Sequence, residues 1–437
     1  MLKRIDFVAQ PGGRLAGRYA VPGDKSISHR AIMLGALARG RTRVTNFLQG
    51  EDCLATLNAF AAMGVDLQRP SDGEVVIQGV GLHGLSAPSA ALDVGNSGTS
   101  MRLMSGLLSA QSFASVLTGD ASLQRRPMRR VIDPLMQMGA RIESNDGMAP
   151  LRILGDQPLK GIRYDMPVAS AQVKSCLLLA GLYAQGETTV VEPGPSRDHS
   201  ERMLRAFGYA VDQTDAVVSL QGGGELTACD IPVPNDISSA TFFMLGAAIV
   251  PGSEVLLTNV GVNPTRTGVI DILRLMGASI ILENEREQGG EPVADIRVRG
   301  AGLRGIKIPP TLVPLAIDEF PAVFIAAACA QGETLLTEAA ELRVKESDRI
   351  QVMADGLQAL GIQAQPRPDG IRIVGGQLQG GEVASHGDHR IAMSFAMAAL
   401  RANGEIRISD CANVDTSFPG FAALAAKAGL KLAVEAQ

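Results

Sequence analysis

Tryptophan is absent from this 437-residue chain, and only 4 tyrosines and 12 phenylalanines stand within an apolar fraction of 46%. A core so poor in large aromatics must be built from Ala, Leu, Val, Ile and Met, residues that suit close packing of helix on sheet. Cysteine is sparse as well. Cys53, Cys176, Cys229, Cys329 and Cys411 are an odd number with no CxxC pair and no nearby His cluster, which argues against both a disulfide framework and a zinc site. Excess positive charge is missing too: a net charge of −5 argues against a general nucleic-acid binder, because phosphate-backbone affinity needs a basic face. No stretch approaches 18 uninterrupted apolar residues, so no membrane-spanning helix is expected. The N-terminal MLKRIDFVAQPGG also lacks an apolar run of signal-peptide length. The expectation is a cytoplasmic protein whose anion sites are local. The signatures GxxxxGK[ST], HExxH and GxSxG are lacking, which leaves P-loop hydrolysis, zincin chemistry and an α/β-hydrolase nucleophile unsupported.

A recurring helix end organises what is present. The segments FAAMGVDL, LMQMGARI, LRAFGYAV, LRLMGASI, LQALGIQA and LAAKAGLKL place glycines at 64, 139, 208, 277, 361 and 429. An apolar helical face that stops at Gly and resumes as a β-type run predicts a helix C-cap feeding a strand. Six copies at a spacing of about seventy residues identify an internal repeat. Between those ends lie loops of polar or small residues, each leading an apolar helix, from VPGDKSISHRAIMLGALA to SHGDHRIAMSFAMAAL. Each unit reads as strand, loop, buried helix, strand, exposed helix, strand. Such a unit cannot cover its own sheet, so the expectation is an α/β (α+β) fold of two domains with three units each and the apolar helices buried at each domain's centre. The two prolines of DIPVPND mark the crossover. The first domain is then expected over 22–233 and the second over 1–21 plus 234–437.

Two segments imitate a dinucleotide fingerprint, GVGLHG (Gly79, Gly81, Gly84) and GAGLRG (Gly300, Gly302, Gly305). The fingerprint needs its last glycine to open a helix, whereas LSAPSA and IKIPP follow here. Both read as strand-end turns, and no nucleotide cofactor is expected.

The loops that lead the apolar helices carry the chemistry, because a helix N-terminus offers an anion unpaired N–H groups and the positive end of a dipole. In GDKSISHR, Lys25, Ser26 and Arg30 lie within a turn and a half, so charge and hydroxyl together can hold a phosphate or carboxylate. A solvated, Ser-capped helix start is the bland alternative. GNSGTSMR sets Asn96, Ser97, Gly98 and Thr99 before a helix and lets the backbone approach a ligand closely. In RRPMRR, Arg126 before the rigid Pro127 is the ligand candidate, while Arg125, Arg129 and Arg130 suit a solvated surface. Ser170 and Gln172 of SAQVKS offer neutral donors, and Arg197 of PSRDHS adds a charge. RVKESDR brings Lys345, Glu346 and Arg349 at offsets that share part of a helical face. DHR supplies Arg390, with Asp388 as an N-cap and His389 in a supporting place. One acid stands apart: Asp318 in AIDEFPAVF opens the most apolar helix and is poised for proton transfer, with Glu319 read as a decoy beside it. The DISSA loop, lacking a cation, reads as structural. This inventory describes an enzyme that handles small polyanions by acid–base chemistry without a metal.

GDKSISHR, GNSGTSMR, RPMRR, SAQVKS, NPTRTG, IDEFP, RVKESDR and GDHRIAMSF occur in an order that resembles the 5-enolpyruvylshikimate-3-phosphate synthase family, over residues from about 10 to 420. The resemblance implies the two-domain enolpyruvyl transferase fold of six βαβαββ units, with an active site in the interdomain cleft. It implies that Lys25, Ser26, Arg30, Ser170, Gln172, Arg197, Asp318 and Lys345 hold shikimate 3-phosphate. Phosphoenolpyruvate would meet Lys25, Asn96, Gly98, Arg126, Gln172, Arg349, His389 and Arg390. Asp318 resembles the family's base toward the 5-hydroxyl, and Glu346 or Lys25 its proton donor to the methylene. No cofactor, metal, membrane or nucleic acid is implied, and the expected partners are the two substrates of a monomeric enzyme. GDKS, RPMRR, SAQVK and NPTR resemble the class II branch, linked with glyphosate tolerance, although Gly98 lacks the methyl that tolerant members carry. Thr416 before SFP departs from the lysine that many members place before TFP. The rival readings are a UDP-N-acetylglucosamine enolpyruvyl transferase, whose usual cysteine or aspartate is missing from SLQRRPM, a non-catalytic anion-binding repeat protein, and an RNA 3'-phosphate cyclase-like enzyme.

Overall fold

The computed structural model describes residues 5–436. The chain divides into two compact units. The first comprises the chain up to Pro22, Pro234–Glu287 and the chain from Pro292. The second comprises Gly23–Val233 and the hairpin turn Gln288–Glu291. Each unit has its own apolar core, one running from Phe7 to Leu430 and the other from Ile27 to Val233.

Among the described residues six small sheets recur, three per unit. In one of them Ser115–Thr118 pairs in parallel with Leu92–Asp93 and antiparallel with Met148–Ile153, whose far edge takes Ile142–Asn145. Arg163–Asp165, Glu187–Val191, Val217–Gln221 and Asp212–Thr214 repeat that order. The parallel pair needs a crossover, and an inner helix supplies it. In the last sheet the chain closes on itself, since Ile5–Gly13 lies antiparallel between Ile406–Ser409 and Leu430–Ala436.

Six inner helices follow the polar loops: Lys25–Leu37, Gly98–Leu108 and Ala171–Gly181 in the second unit, and Ile237–Ala248, Phe320–Ala328 and His389–Ala398 in the first. Every residue of Ile237–Ala248 and of Phe320–Ala328 is buried. In the first unit the three inner helices pack on one another. A helix buried on all sides must still satisfy its first N–H groups. Five of the six do so with a side chain: Asp24, Ser97, Ser170, Asp236 and Asp388 accept from the backbone of the first turn at 2.8–3.4 Å. The sixth, Phe320–Ala328, has Glu319 in the capping position but no side-chain cap.

Gly64, Gly139, Gly208, Gly277, Gly361 and Gly429 all hold a left-handed backbone with φ of 78–119°, the conformation that ends a helix at lowest steric cost. Gly79 lies within the strand Val75–Val80, Gly81 and Gly84 follow it, and the glycines of GAGLRG follow Glu291–Arg299; neither segment opens a helix. No helix is long and apolar enough to cross a membrane among the described residues.

Gly98–Leu108 packs closely on Ala171–Gly181. A Cβ on Gly106 would stand 2.1 Å from the carbonyl oxygen of Cys176, a backbone atom that cannot swing aside. Gly106→Ala is therefore expected to lower the urea unfolding free energy by about 1–3 kcal/mol. Gly302→Ala, at a place with open space within 4 Å, should leave it unchanged. Equal midpoints for the two variants would contradict this account.

Candidate active site

The second unit gathers neutral and cationic groups at three helix mouths. Lys25 begins the first of its inner helices and pairs with Asp52. One turn on, the buried Arg30 donates from Nε to Ser200 Oγ at 2.7 Å, from Nη2 to Ser175 Oγ at 2.8 Å and from Nη1 to the Ser26 carbonyl at 3.1 Å. Burial lowers the Arg30 pKa to about 10. Arg197 pushes in the same direction, while Glu201, Asp24 and Glu291 oppose. The charge therefore persists at neutral pH. Ser170 caps its helix, and Gln172 lies in the first turn.

Around Gly98 the side chains form one cluster. Arg126 donates to Asn96 Oδ1 at 2.7 Å, and Asn96 donates to Asp120 at 2.7 Å. Gln172 accepts from Arg102 Nη1 at 2.6 Å and donates to Thr99 Oγ1 at 3.0 Å. A methyl on Gly98 would lie 2.9 Å from Arg102 Nη1 and 3.3 Å from Arg126 Nη1, so the missing side chain at this position leaves room for two guanidinium groups. Arg125 and Arg129 are exposed, and Arg129 pairs with Asp146. Sequence reasoning passed over Arg102, although it stands one helical turn beyond Gly98 and so faces the same mouth. It also passed over Lys174, which is buried between Glu192 at 2.7 Å and Glu201 at 2.6 Å. Burial raises the Glu192 pKa, with Lys174 tempering the rise.

A buried polar chain ties two of these mouths together. His29 Nδ1 lies 2.8 Å from Thr56 Oγ1, which lies 2.6 Å from Ser100 Oγ, and Ser100 Oγ lies 2.7 Å from Ser97 Oγ. Burial, then the charges of Lys25 and Arg30, hold the His29 pKa well below 6.5.

The first unit centres on Arg349, 1% exposed. Its Nε donates to Asp388 at 2.8 Å, its Nη2 to Glu346 at 2.6 Å, and its Nη1 reaches Asp318 at 3.5 Å. Burial opposes its charge, yet Asp388, Glu346 and Asp318 outweigh that and lift its pKa above the ordinary arginine value. Asp318 also faces Lys345 Nζ at 3.4 Å and Arg390 Nη2 at 4.0 Å. His389 is buried at the first position of its helix.

Three sequence expectations change here. Lys345 and Glu346 do not share a helical face with Arg349, because the helix starts at Arg349 under an Asp348 cap; Glu346 meets the guanidinium from the preceding turn. Asp388 is more than a cap, since it also holds Arg349. The DISSA loop is not without a cation. Arg266 of NPTRTG pairs with Asp236 at 3.2 Å and donates to Ser238 at 2.7 Å. Thr416 donates to the Asn413 carbonyl at 2.7 Å. Among the described residues no three His, Cys, Asp or Glu side chains come together as metal ligands.

Cations and neutral donors at helix mouths, with a partly buried carboxylate among them, define an enzyme that handles small polyanions on a repeated βαβαββ scaffold. The solved enolpyruvyl transferase NikO from Streptomyces tendae shares this fold, with a TM-score of 0.79 at 18% identity, covering 100% of both chains. The chain belongs to the EPSP synthase (3-phosphoshikimate 1-carboxyvinyltransferase) family, whose model matches residues 9–424. The 3-phosphoshikimate 1-carboxyvinyltransferase of Alkalilimnicola ehrlichii is 66% identical over 430 residues, 98% of this chain and 96% of that protein. That of Methylococcus capsulatus is 66% identical over 433 residues, 99% of each. The solved EPSP synthase of Acinetobacter baumannii is 60% identical, with a TM-score of 0.89 over 99% of this chain and 100% of that one.

Two outcomes follow from the buried charges. Arg349→Ala removes the buried counter-charge shared by Asp388, Glu346 and Asp318 and should cost about 3–5 kcal/mol in urea unfolding; a loss below about 1 kcal/mol would be inconsistent with such a hub. For His29 the folded state takes up its proton well below 6.5, so the unfolded chain binds more protons there. Stability present above that pH is then lost as the pH falls. His29→Asn should flatten the unfolding free energy between pH 7 and about 5, and a decline as steep as that of the parent would remove His29 as its cause.

Proposed function

We propose that this enzyme carries the enolpyruvyl group of phosphoenolpyruvate to the 5-hydroxyl of shikimate 3-phosphate with release of inorganic phosphate, and that the residues of both units named above serve that one reaction. The observation that carries the reading is Asp318, a carboxylate within 4.0 Å of Lys345, Arg349 and Arg390. A carboxylate is the acceptor that a hydroxyl proton requires. The three cations offset the negative charge that the phosphates would bring beside it.

Lys25, Ser26, Arg30, Ser170, Gln172, Arg197, Asp318 and Lys345 hold shikimate 3-phosphate. Lys25, Asn96, Gly98, Arg126, Gln172, Arg349, His389 and Arg390 hold phosphoenolpyruvate. Asp318 takes the proton of the 5-hydroxyl as its oxygen bonds to C2 of phosphoenolpyruvate. The methylene carbon takes a proton from Glu346 or Lys25, which gives a tetrahedral intermediate. The bond from C2 to the phosphate oxygen then breaks, inorganic phosphate leaves, and the new methyl group returns a proton to the protein, restoring the vinyl ether. On this reading the enzyme works as a monomer in the cytoplasm. Five cysteines outside any disulfide fit a reducing compartment.

Phosphate release from phosphoenolpyruvate is expected with shikimate 3-phosphate and not with UDP-N-acetylglucosamine. Release with the sugar nucleotide alone would overturn the reading. Asp318→Asn should reduce kcat by about 10²–10⁴-fold while calorimetric binding of shikimate 3-phosphate survives. A variant that loses only affinity would point instead to an anion-binding protein.

A further inference from the structure

Glu319, next to the proposed base, is the more enclosed of the two acids: its side chain is 1% exposed, against 15% for Asp318. It stands in the capping position of Phe320–Ala328, and its side chain makes no cap. Ser238 donates to Oε1, Arg390 Nη1 lies 3.6 Å from that oxygen, and Arg266 Nη2 lies 3.9 Å from it. Oε2 is buried and makes no hydrogen bond among the described residues.

A carboxylate taken this far from water is costly unless cations surround it. Arg266 is shared with Asp236 at 3.2 Å and Ser238 at 2.7 Å, so Arg390 is the closer counter-charge. Arg390 in turn has two carboxylates to choose from. Nη1 lies toward Glu319 at 3.6 Å, and Nη2 lies toward Asp318 at 4.0 Å. A guanidinium is a rigid planar fork, so a partner on one nitrogen fixes where the others point.

We propose that Glu319 is a positioning residue: anchored by Ser238 and Arg266, its buried carboxylate holds Arg390 by one nitrogen, keeping the rest of the guanidinium turned toward phosphoenolpyruvate and no nearer to Asp318 than 4.0 Å. The two adjacent acids thus divide the work. Asp318 takes the hydroxyl proton, and Glu319, the nearer acid, carries more of the electrostatic load of Arg390. This rests on the assignment of Arg390 to phosphoenolpyruvate made above.

Glu319→Gln keeps the volume and a carbonyl for Ser238 while removing the charge. The KM for phosphoenolpyruvate should rise roughly tenfold, the worth of one charged contact, while the KM for shikimate 3-phosphate stays within about twofold. Ser238→Ala, which loosens the anchor and keeps the charge, should shift the same constant in the same direction by less. Combined with Arg390→Lys, Glu319→Gln should add almost nothing to the effect of Arg390→Lys alone. Calorimetric binding of shikimate 3-phosphate by each variant shows that it is folded. Multiplying effects in the double variant, or an unchanged phosphoenolpyruvate KM in folded Glu319→Gln, would overturn the proposal. So would a parallel rise in both KM values with a lowered melting temperature, which marks a purely structural role. If Arg390→Lys leaves the phosphoenolpyruvate KM unchanged, the Arg390 assignment fails and this inference fails with it. If phosphate release does not depend on shikimate 3-phosphate, the reaction assigned above is the part that is wrong.

Discussion

Burying a helix on every side while its first backbone N–H groups still need partners is the constraint on which the rest of this structure depends. An inner helix such as Ile237–Ala248 exposes no residue along its length, so nothing on its flanks can be polar and unpaired. Its chemistry is confined to the first turn and the loop before it. The cap side chains, Asp24, Ser97, Ser170, Asp236 and Asp388, satisfy the backbone at those mouths, and the cations stand among them. The same end of the same element therefore closes the core and gathers the charged groups.

Charge at these mouths is brought in with its own compensation. Lys25 pairs with Asp52, Arg126 with the Asn96–Asp120 pair, and Arg349 with three carboxylates. Uncompensated burial of that many cations would unfold so marginal a balance. On the proposed function, a substrate phosphate or carboxylate competes with acids already present, and its affinity is the difference between two good sets of contacts.

The repeat, its glycine ends and the loops that carry chemistry were legible because they are local: a period, a C-cap at Gly277 or Gly361, and a basic residue just inside a helix. What sequence reasoning missed was long-range. Arg266 meets Ser238 from 28 residues away, Arg349 meets Asp388 across 39, and Gln172 meets Arg102 across 70. No periodicity encodes which mouth faces which. Glu319 was set aside for the same reason: beside Asp318 in the chain it looks redundant, and only the fold turns it toward Arg390. The start of the helix at Arg349 was obscured because Asp348 competes as a cap within a run of charges that also suits a helical face.

The left-handed glycines at the six helix ends separate what can vary in this scaffold from what cannot. A side chain at any of them would strain the turn that returns the chain to its sheet, so the frame of each unit is fixed at its closing corner. The opposite corner holds a cation, an amide or an acid in different units: Glu319 in the capping position, Lys25 at the first and Gln172 and Arg390 at the second position of their helices. Six copies of one frame thus give the chain a set of interchangeable sockets, and selection can rewrite what a socket holds while leaving the architecture alone.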